Sequence, residues 1–390
     1  MKIYLVGGAV RDKLMGILSK DRDYLVVGST PEEMVRLGYK PIGKDFPVFL
    51  HPASKEEYAL ARTEKKVGKG YHGFEFYTSP DVTLEEDLSR RDITINAIAE
   101  DEEGNIYDPF HGVDDIKNKV IRHVSDAFTE DPLRVLRVAR FAALDLEFKV
   151  EKETLALMKK MVQSGELKSL SADRVVAEVT KGLEGEHPDI MIHYLCESGA
   201  LNEIFPGLNS PSESPSLIEQ QSKNFVSLGI VIKENSSSLA SESKIIMLLI
   251  APYFFKGSSN IKTIEEQLHL LRHLKLSSTN HKILKSLMDE ELNIGDFLSL
   301  SAEKKLDCLY RIDFYRRPNI IFEVLNIISL FKTTFHHVDL KHFKDIKLFL
   351  VLFSDEISQL KSEVDPSNSG EDIKKLIYQE RLSLLKKISN

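Results

Sequence analysis

The sequence predicts an α+β fold: a small mixed sheet with flanking helices at the N-terminus, followed by an all-α remainder. Three observations carry this prediction. Residues 1 to about 115 alternate short, β-rich apolar runs with helix-like stretches and glycine-marked turns. From Asp131 onward the apolar residues recur at helical spacing almost to the C-terminus. A chain of 390 residues also exceeds what one simple core organises, which gives two to three domains.

Lys2–Val6 reads as the first strand and runs into Gly7-Gly8-Ala9-Val10-Arg11-Asp12, a glycine pair opening a helix. Glycine lets backbone N–H groups approach a phosphate closely, and a helix N-terminus favours negative charge. Arg11, one turn in, is placed to add a charge-assisted contact to the same phosphate. The spacing is not the dinucleotide fingerprint G-x-G-x-x-G. Asp21–Val27 reads as the second strand. Side chains alternate along a strand, so Asp21 and Asp23 fall on one face. Two adjacent anions are costly unless a cation sits between them, and a hard divalent ion, Mg²⁺ above all, is the usual solution. These two carboxylates are the leading metal-ligand candidates.

Thr30-Pro31-Glu32-Glu33 starts a helix, with Thr30 as N-cap, Pro31 in the first turn and Glu33 three residues on. Gly38–Lys44 approaches a P-loop, but Asp45 replaces the Ser or Thr that should reach the metal, and Phe46–Leu50 continues as an extended run. It is not one. Glu56–Thr63, Gly73–Thr78 and Ile93–Ala99 complete the strand candidates, with Lys65–Gly73 a basic, glycine-bearing loop between two of them. Further on, Gly207–Pro215 is the clearest linker and Glu234–Ser243 a second loop. The longest apolar run, Ile245–Ala251, falls short of the ~20 residues a membrane span needs and reads as a buried helix. Asp365–Gly370 is a polar break before a last amphipathic helix.

Hydrophobic content of 42% and charged content of 29% are those of a soluble globular protein. Cys196 and Cys308 are too few for a disulfide framework or a cysteine-rich zinc site. With no signal-peptide organisation before the first strand, the expected compartment is the cytoplasm. A net charge of −8 weighs mildly against a nucleic-acid partner, yet the cations are unevenly spread. Arg62, Lys65, Lys66 and Lys69 cluster around the single acid Glu64, and Lys149, Lys152, Lys159, Lys160, Lys168, Arg174 and Lys181 recur later. Singly, most of these suit a solvated helical face; together they form a stripe a compact RNA could meet.

Four segments, in order, point to one family. They are Gly7–Asp12 with Leu14-Met15-Gly16 and Asp21-Arg22-Asp23; Arg90-Arg91-Asp92-Ile93-Thr94-Ile95-Asn96-Ala97; Asp108-Pro109-Phe110-His111-Gly112; and Glu130-Asp131-Pro132-Leu133-Arg134-Val135-Leu136-Arg137. Together they resemble the class II nucleotidyltransferases, which include the CCA-adding tRNA nucleotidyltransferases and the bacterial poly(A) polymerases. The resemblance implies a polymerase-β-like nucleotidyltransferase head over residues 1–130, a helical neck over 131–206 and a helical body and tail over 207–390. It implies tRNA as partner, CTP and ATP as nucleotides, Mg²⁺ at Asp21 and Asp23, Gly8 and Arg11 near the triphosphate, and no membrane. Asp45–Pro52 and Glu57–Glu64 are similar to the proteobacterial CCA-adding branch, which implies template-independent addition of CCA to tRNA 3′ ends. A poly(A) polymerase or an A-adding enzyme shares the head motifs and is the runner-up. A non-catalytic RNA-binding protein is the reading from another class, opposed by the intact Asp21 and Asp23. The oligomeric state stays open between monomer and homodimer.

In the last motif, Asp131 and Arg134 stand at i and i+3, which in a helix puts them on one face. A carboxylate accepts and a guanidinium donates, so the pair offers a donor–acceptor array to a base edge. In the family this pair selects cytosine or adenine. Steps of three drift about 60° around a helix, so Arg137 and Arg140 turn away and suit phosphate contact or anchoring. Arg91 is a further phosphate or ribose contact, with an ion pair to Glu85, Glu86 or Asp87 as its structural alternative, and Asp92 is placed to bond near the turn. The C-terminal half departs from the branch. No His is followed directly by Asp, and Ala251-Pro252 stands where the HD dipeptide of the family's phosphohydrolase domain is expected. His336, His337 and His342, near Asp339, match no metal spacing and read as packed or surface histidines. Residues 207–390 then read as a degenerate HD-like scaffold.

Overall fold

The computed structural model describes residues 1–19, 21–42, 48–66, 74–205, 215–256, 268–269, 272, 274–289, 292, 294–359 and 369–389. The chain divides into two compact units, Met1–Ile204 and Phe205–Asn390.

The strands of the first unit are β1 (Lys2–Val6), β2 (Asp23–Val27), β3 (Lys40–Ile42), β4 (Val48–Leu50), β5 (Glu57–Leu60), β6 (Arg62–Lys66), β7 (Phe74–Thr78), β8 (Ala99–Glu100), β9 (Ile106–Tyr107), β10 (Val120–Ile121) and β11 (Lys149–Val150). Seven of them make one sheet in the order β3-β4-β5-β2-β1-β8-β9, with β6 and β7 a separate hairpin. β2 and β5 run parallel while the other neighbours are antiparallel. The sheet is mixed, as predicted.

Alternation along the strands sorts the core into two faces. Tyr4, Val6 and Leu25 pack with Leu88, and Val26, Tyr58 and Leu60 pack with Met34. The first helices of this unit are α1 (Gly8–Leu14), α2 (Pro31–Arg36), α3 (Leu84–Ser89) and α4 (Gly112–Lys117). α2 starts as predicted, because Thr30 Oγ1 accepts the Glu33 N–H at 3.2 Å. The Glu33 carboxylate, instead of closing the capping box, accepts from Ser29 Oγ at 2.8 Å.

Four expectations need correction. β2 begins at Asp23, so Asp21 lies just before the strand and alternation does not place it. Ile93–Ala99 is no strand: Thr94–Asn96 is a 3₁₀ turn, and only Ala99–Glu100 joins the sheet. Asp92 Oδ1 takes the Ile93 N–H at 2.9 Å and the Asn96 side-chain amide at 3.0 Å, a local alternative to a sheet ladder. Glu56–Thr63 is two strands, broken at Ala61 where the chain leaves the sheet for the hairpin. Lys65 and Lys66 belong to β6. The rest of the expected basic loop, 67–73, and residues 43–47 lie outside the described residues.

The remaining helices of the first unit are α5 (Leu133–Ala142), α6 (Lys152–Gln163), α7 (Ala172–Leu183), α8 (Pro188–Ser198) and α9 (Ala200–Ile204). The helical run is interrupted once, where β11 pairs parallel with β10. α5 packs against α7 and α8.

The second unit consists, among the described residues, of helices Pro215–Glu234, Ser241–Lys256, Ser278–Met288, Ala302–Arg311, Asn319–His336, Leu340–Gln359 and Gly370–Ser389 with short 3₁₀ turns. Ile245–Ala251 is buried inside one of them, as expected, and Phe254 stacks on Phe331 at 4.4 Å. His336 and His342 meet the main-chain carbonyls of Phe254 at 3.2 Å and Gly295 at 2.6 Å. Among the described residues, no three His, Cys, Asp or Glu gather into a metal-holding group, and no helix is long and apolar enough to cross a membrane. Residues 207–214 of the expected linker and 365–368 of the polar break lie outside the described residues.

Candidate active site

The site grows from the first turn of the chain. β1 ends at Val6, and the antiparallel register places Asp23 directly across from it. Gly7 then turns with φ +69°, in the left-handed region that favours glycine, and α1 begins. A Cβ on Gly7 would stand 2.9 Å from Arg91 Nη1, so the bare backbone also makes room for that guanidinium. Gly8 sits beside Arg11, whose Nη2 would lie 3.6 Å from a Cβ there. Asp23 and Asp21 are both exposed. Burial raises the Asp23 carboxyl above its ordinary pKa; the Arg91 charge opposes this, and the Asp21 charge adds to it. Two carboxylates and one arginine thus converge beside the Gly7–Gly8 turn.

Asn96 organises the arginines around this turn. Its side-chain oxygen accepts from Arg11 Nη1 at 2.7 Å, its amide donates to Asp92, and its main-chain carbonyl accepts from Arg91 Nη1 at 3.3 Å. Arg11 also donates from Nε and Nη2 to Asp12 at 2.8 and 2.6 Å. Asp92 completes its shell with Arg137, whose Nε and Nη2 both reach Oδ2 at 2.7 Å. Burial alone would raise the Asp92 carboxyl, but the Arg137 charge and the Asn96 and Arg137 bonds outweigh it, and its pKa falls. Arg11, Arg137 and Arg140 all lie over the Phe141 ring, at 5.1, 5.2 and 4.1 Å. Arg137 and Arg140 therefore anchor α5, one of the two roles expected of them.

The Asp131–Arg134 pair differs from the expected helix face. Asp131 precedes α5 in an extended conformation, φ −117° and ψ 107°. Pro132 explains this, since the residue before proline is pushed out of the α region. Asp131 instead caps the helix, accepting the Leu133 N–H at 3.1 Å, and pairs with Arg174 Nη2 of α7 at 2.7 Å. Arg134 is 8% exposed and donates to the carbonyls of Ala127 at 2.7 Å and Arg90 at 2.6 Å. From the same face of α7, Glu178 takes Arg140. Asp108 caps α4, accepting the N–H groups of Gly112 and Val113 at 2.7 and 2.8 Å.

The family model for the poly A polymerase head domain matches residues 3–122. A second, described as "Probable RNA and SrmB- binding site of polymerase A", matches residues 147–210. Residues 3–122 are thus similar to the poly A polymerase head-domain family, and residues 147–210 to its RNA-binding companion. Two relatives, each called Multifunctional CCA protein, come from Methylobacillus flagellatus and Chromobacterium violaceum. The first is 61% identical over 209 residues and the second 60% over 210, in both cases 54% of this chain. The chain spans about half the length of these curated relatives, 51% of each. Solved structures share the fold over nearly the whole chain. The Thermotoga maritima CCA-adding enzyme complexed with tRNA has a TM-score of 0.65 at 20% identity, covering 99% of this chain and 90% of that one. The Bacillus stearothermophilus CCA-adding enzyme in complex with CTP has a TM-score of 0.62 at 23% identity, covering 100% and 88%.

In the first unit, the sequence left some of the residues around the Gly7–Gly8 turn without a role. Asn96 was visible only as part of a motif. Asp87 stood among three acids as an alternative partner for Arg90 and Arg91; its i,i+3 and i,i+4 spacing to them was the available signal. Arg174 and Glu178 lie 43 and 38 residues from their partners, and no local pattern announces them.

Proposed function

We propose that this chain adds CCA to the 3′ end of immature or damaged tRNA from CTP and ATP, without a nucleic-acid template and with release of pyrophosphate. The observation that carries the reading is the Asp21–Asp23 pair beside the Gly7–Gly8 turn, with the Arg91 charge acting on it. The names of relatives 60–61% identical support it, as do the tRNA and CTP complexes among structures of the same fold. In this reading residues 1–130 are the catalytic head, 131–206 the neck, and 207–390 a helical scaffold for tRNA.

Asp21 and Asp23 fit Mg²⁺. They are carboxylates with solvent access close enough for the Asp21 charge to act on Asp23, the oxygen donor set that a hard divalent ion takes. When bound, divalent ions supply activation of the attacking 3′-hydroxyl and charge stabilisation at the leaving pyrophosphate. Gly7 and Gly8 let the triphosphate lie against bare backbone. Arg91 Nε, a buried donor with no partner among the described residues, remains for a phosphate oxygen. Arg11, Arg137 and Arg140, gathered over the Phe141 ring, would add positive charge to this side of the site. Asp131 and Arg134 select the base: Asp131 keeps lone pairs beyond those used by Leu133 and Arg174, and Arg134 presents donors by exchanging its carbonyl bonds.

Labelled CTP and ATP, offered with tRNA ending at the discriminator base, with tRNA-CC and with an oligo(A) primer, test the proposal. The expected outcome is C and A on the first and A on the second. A addition alone would mark an A-adding enzyme, extension of oligo(A) a poly(A) polymerase, and no addition a non-catalytic RNA-binding protein.

A further inference from the structure

Asp87 is 0% exposed within α3, and its single carboxylate serves three donors. Oδ1 accepts the Arg62 N–H at 3.3 Å and Arg90 Nη2 at 3.1 Å; Oδ2 accepts Arg91 Nη2 at 3.4 Å. Arg90 closes the circuit by donating from Nε to the Arg62 carbonyl at 3.0 Å. Arg62 is the first residue of β6, so both main-chain polar groups at the root of the β6–β7 hairpin end on this cluster. Arg91 is the guanidinium fitted against Gly7. One buried carboxylate therefore touches the hairpin root on one oxygen and the arginine of the nucleotide site on the other. Burial raises its pKa, but the Arg90 and Arg91 charges outweigh that and keep it ionised.

We propose that Asp87 is a positioning residue that sets Arg91 and the β6–β7 hairpin in one frame. It acts through Arg91 on the triphosphate and through the Arg62 main chain on the hairpin. A charged acceptor is required on both oxygens, because an amide would turn two N–H donors toward a guanidinium or a backbone N–H. The nucleotide half of this inference rests on the proposed function; the hairpin half does not.

Asp87→Asn is the test, read in two ways on the full chain. Nucleotide KM for both CTP and ATP should rise about tenfold with kcat changed less than about threefold, and CTP dissociation constants measured without tRNA should follow. Amide hydrogen exchange in β6 should quicken about tenfold while exchange in the central strands β1 and β2 holds. A merely structural role would lower kcat through lost active protein and leave KM in place. Unchanged nucleotide binding or unchanged β6 exchange overturns the proposal. Two further variants keep it testable if Asp87→Asn does not fold. Arg91→Lys should raise nucleotide KM with β6 exchange at its wild-type rate, and Arg90→Gln should do the reverse; either one moving both readouts equally removes Asp87 as the junction. If the wild-type chain adds neither C nor A to tRNA, the proposed function fails, while β6 exchange and CTP binding still decide the role of Asp87.

Discussion

In the N-terminal unit four of the five buried carboxylates, Asp87, Asp92, Asp115 and Glu178, meet an arginine and the fifth, Glu100, meets Lys13, whereas among the described residues of the C-terminal unit buried Lys244 and Lys305 end on the hydroxyls of Ser236 and Ser389. The contrast is one of information. A guanidinium is planar and forked, so an arginine–carboxylate pair fixes angle as well as distance. An ammonium on a flexible stem is a point charge that tolerates small shifts. The N-terminal unit uses buried pairs to hold Arg91, Arg137 and Arg140 in stated orientations around the Gly7–Gly8 turn. The C-terminal unit is held by apolar packing, with the Phe254–Phe331 stack and the fully buried Ile245–Ala251 run at its centre.

The largest expected effect lies at the site itself. Asp21→Ala or Asp23→Ala should reduce nucleotide addition by at least about a thousandfold, since ions held there would supply several kcal/mol of charge stabilisation. Both side chains are exposed, so thermal unfolding and tRNA affinity should change little. Appreciable CTP incorporation in Mg²⁺ by either variant would remove the metal assignment.

Stability tests the contrast between units directly. Asp92→Ala strands the Arg137 guanidinium and should destabilise the first unit by about 3–5 kcal/mol. Lys305→Met replaces a desolvated ammonium beside Phe349 by an apolar group and should be neutral or stabilising by about 1 kcal/mol. Denaturant series read by hydrogen exchange in each unit separate the two; a large loss from Lys305→Met would erase the distinction. Proton linkage gives the same sign of slope in both units, in two different pH windows. The Asp92 pKa is lowered in the folded chain, so its contribution is present above the ordinary 3.8 and is lost as pH falls through the folded value. The Lys305 pKa is lowered by burial, so the unfolded chain binds more protons below 10.5, and the second unit gains stability as pH rises toward that value. Unit-specific exchange at acid and alkaline pH should show the first unit failing in acid first.

What the sequence could disclose follows the same division. β1, β7 and the start of α2 were legible because their causes are local: alternation, a capping threonine, a proline in the first turn. The proposed Asp21–Asp23 centre comes from a motif, and the strand argument covers only Asp23. Ile93–Ala99 misled because its apolar residues are buried in a 3₁₀ turn, where Asp92 and Asn96 bond to the chain around them. Asp131 misled because Pro132 was read as part of a helix instead of as the reason its predecessor stays extended. Arg174 and Glu178 could not be found from spacing at all, since α7 meets α5 only in the folded unit.

Base selection offers the smallest effect and the sharpest separation of roles. Asp131 accepts from Leu133 on one oxygen and from Arg174 on the other, and the Arg174 pair is only partly buried, with side chains 25% and 27% exposed. Such a pair contributes at most about 1 kcal/mol. Asp131→Asn keeps an oxygen for the Leu133 cap but replaces an acceptor by a donor, so stability should hold while the pattern shown to a base changes. A site built on hydrogen bonds discriminates because a mismatched edge leaves its own polar groups unpaired, at roughly 1–3 kcal/mol each. UTP and GTP incorporation on tRNA-C should then rise about ten- to a hundredfold relative to CTP and ATP. Arg174→Ala breaks the same ion pair without altering the carboxylate, and it should shift selectivity less than about twofold. If the two variants change selectivity equally, Asp131 acts through its helix contact. If neither does, the base is chosen elsewhere.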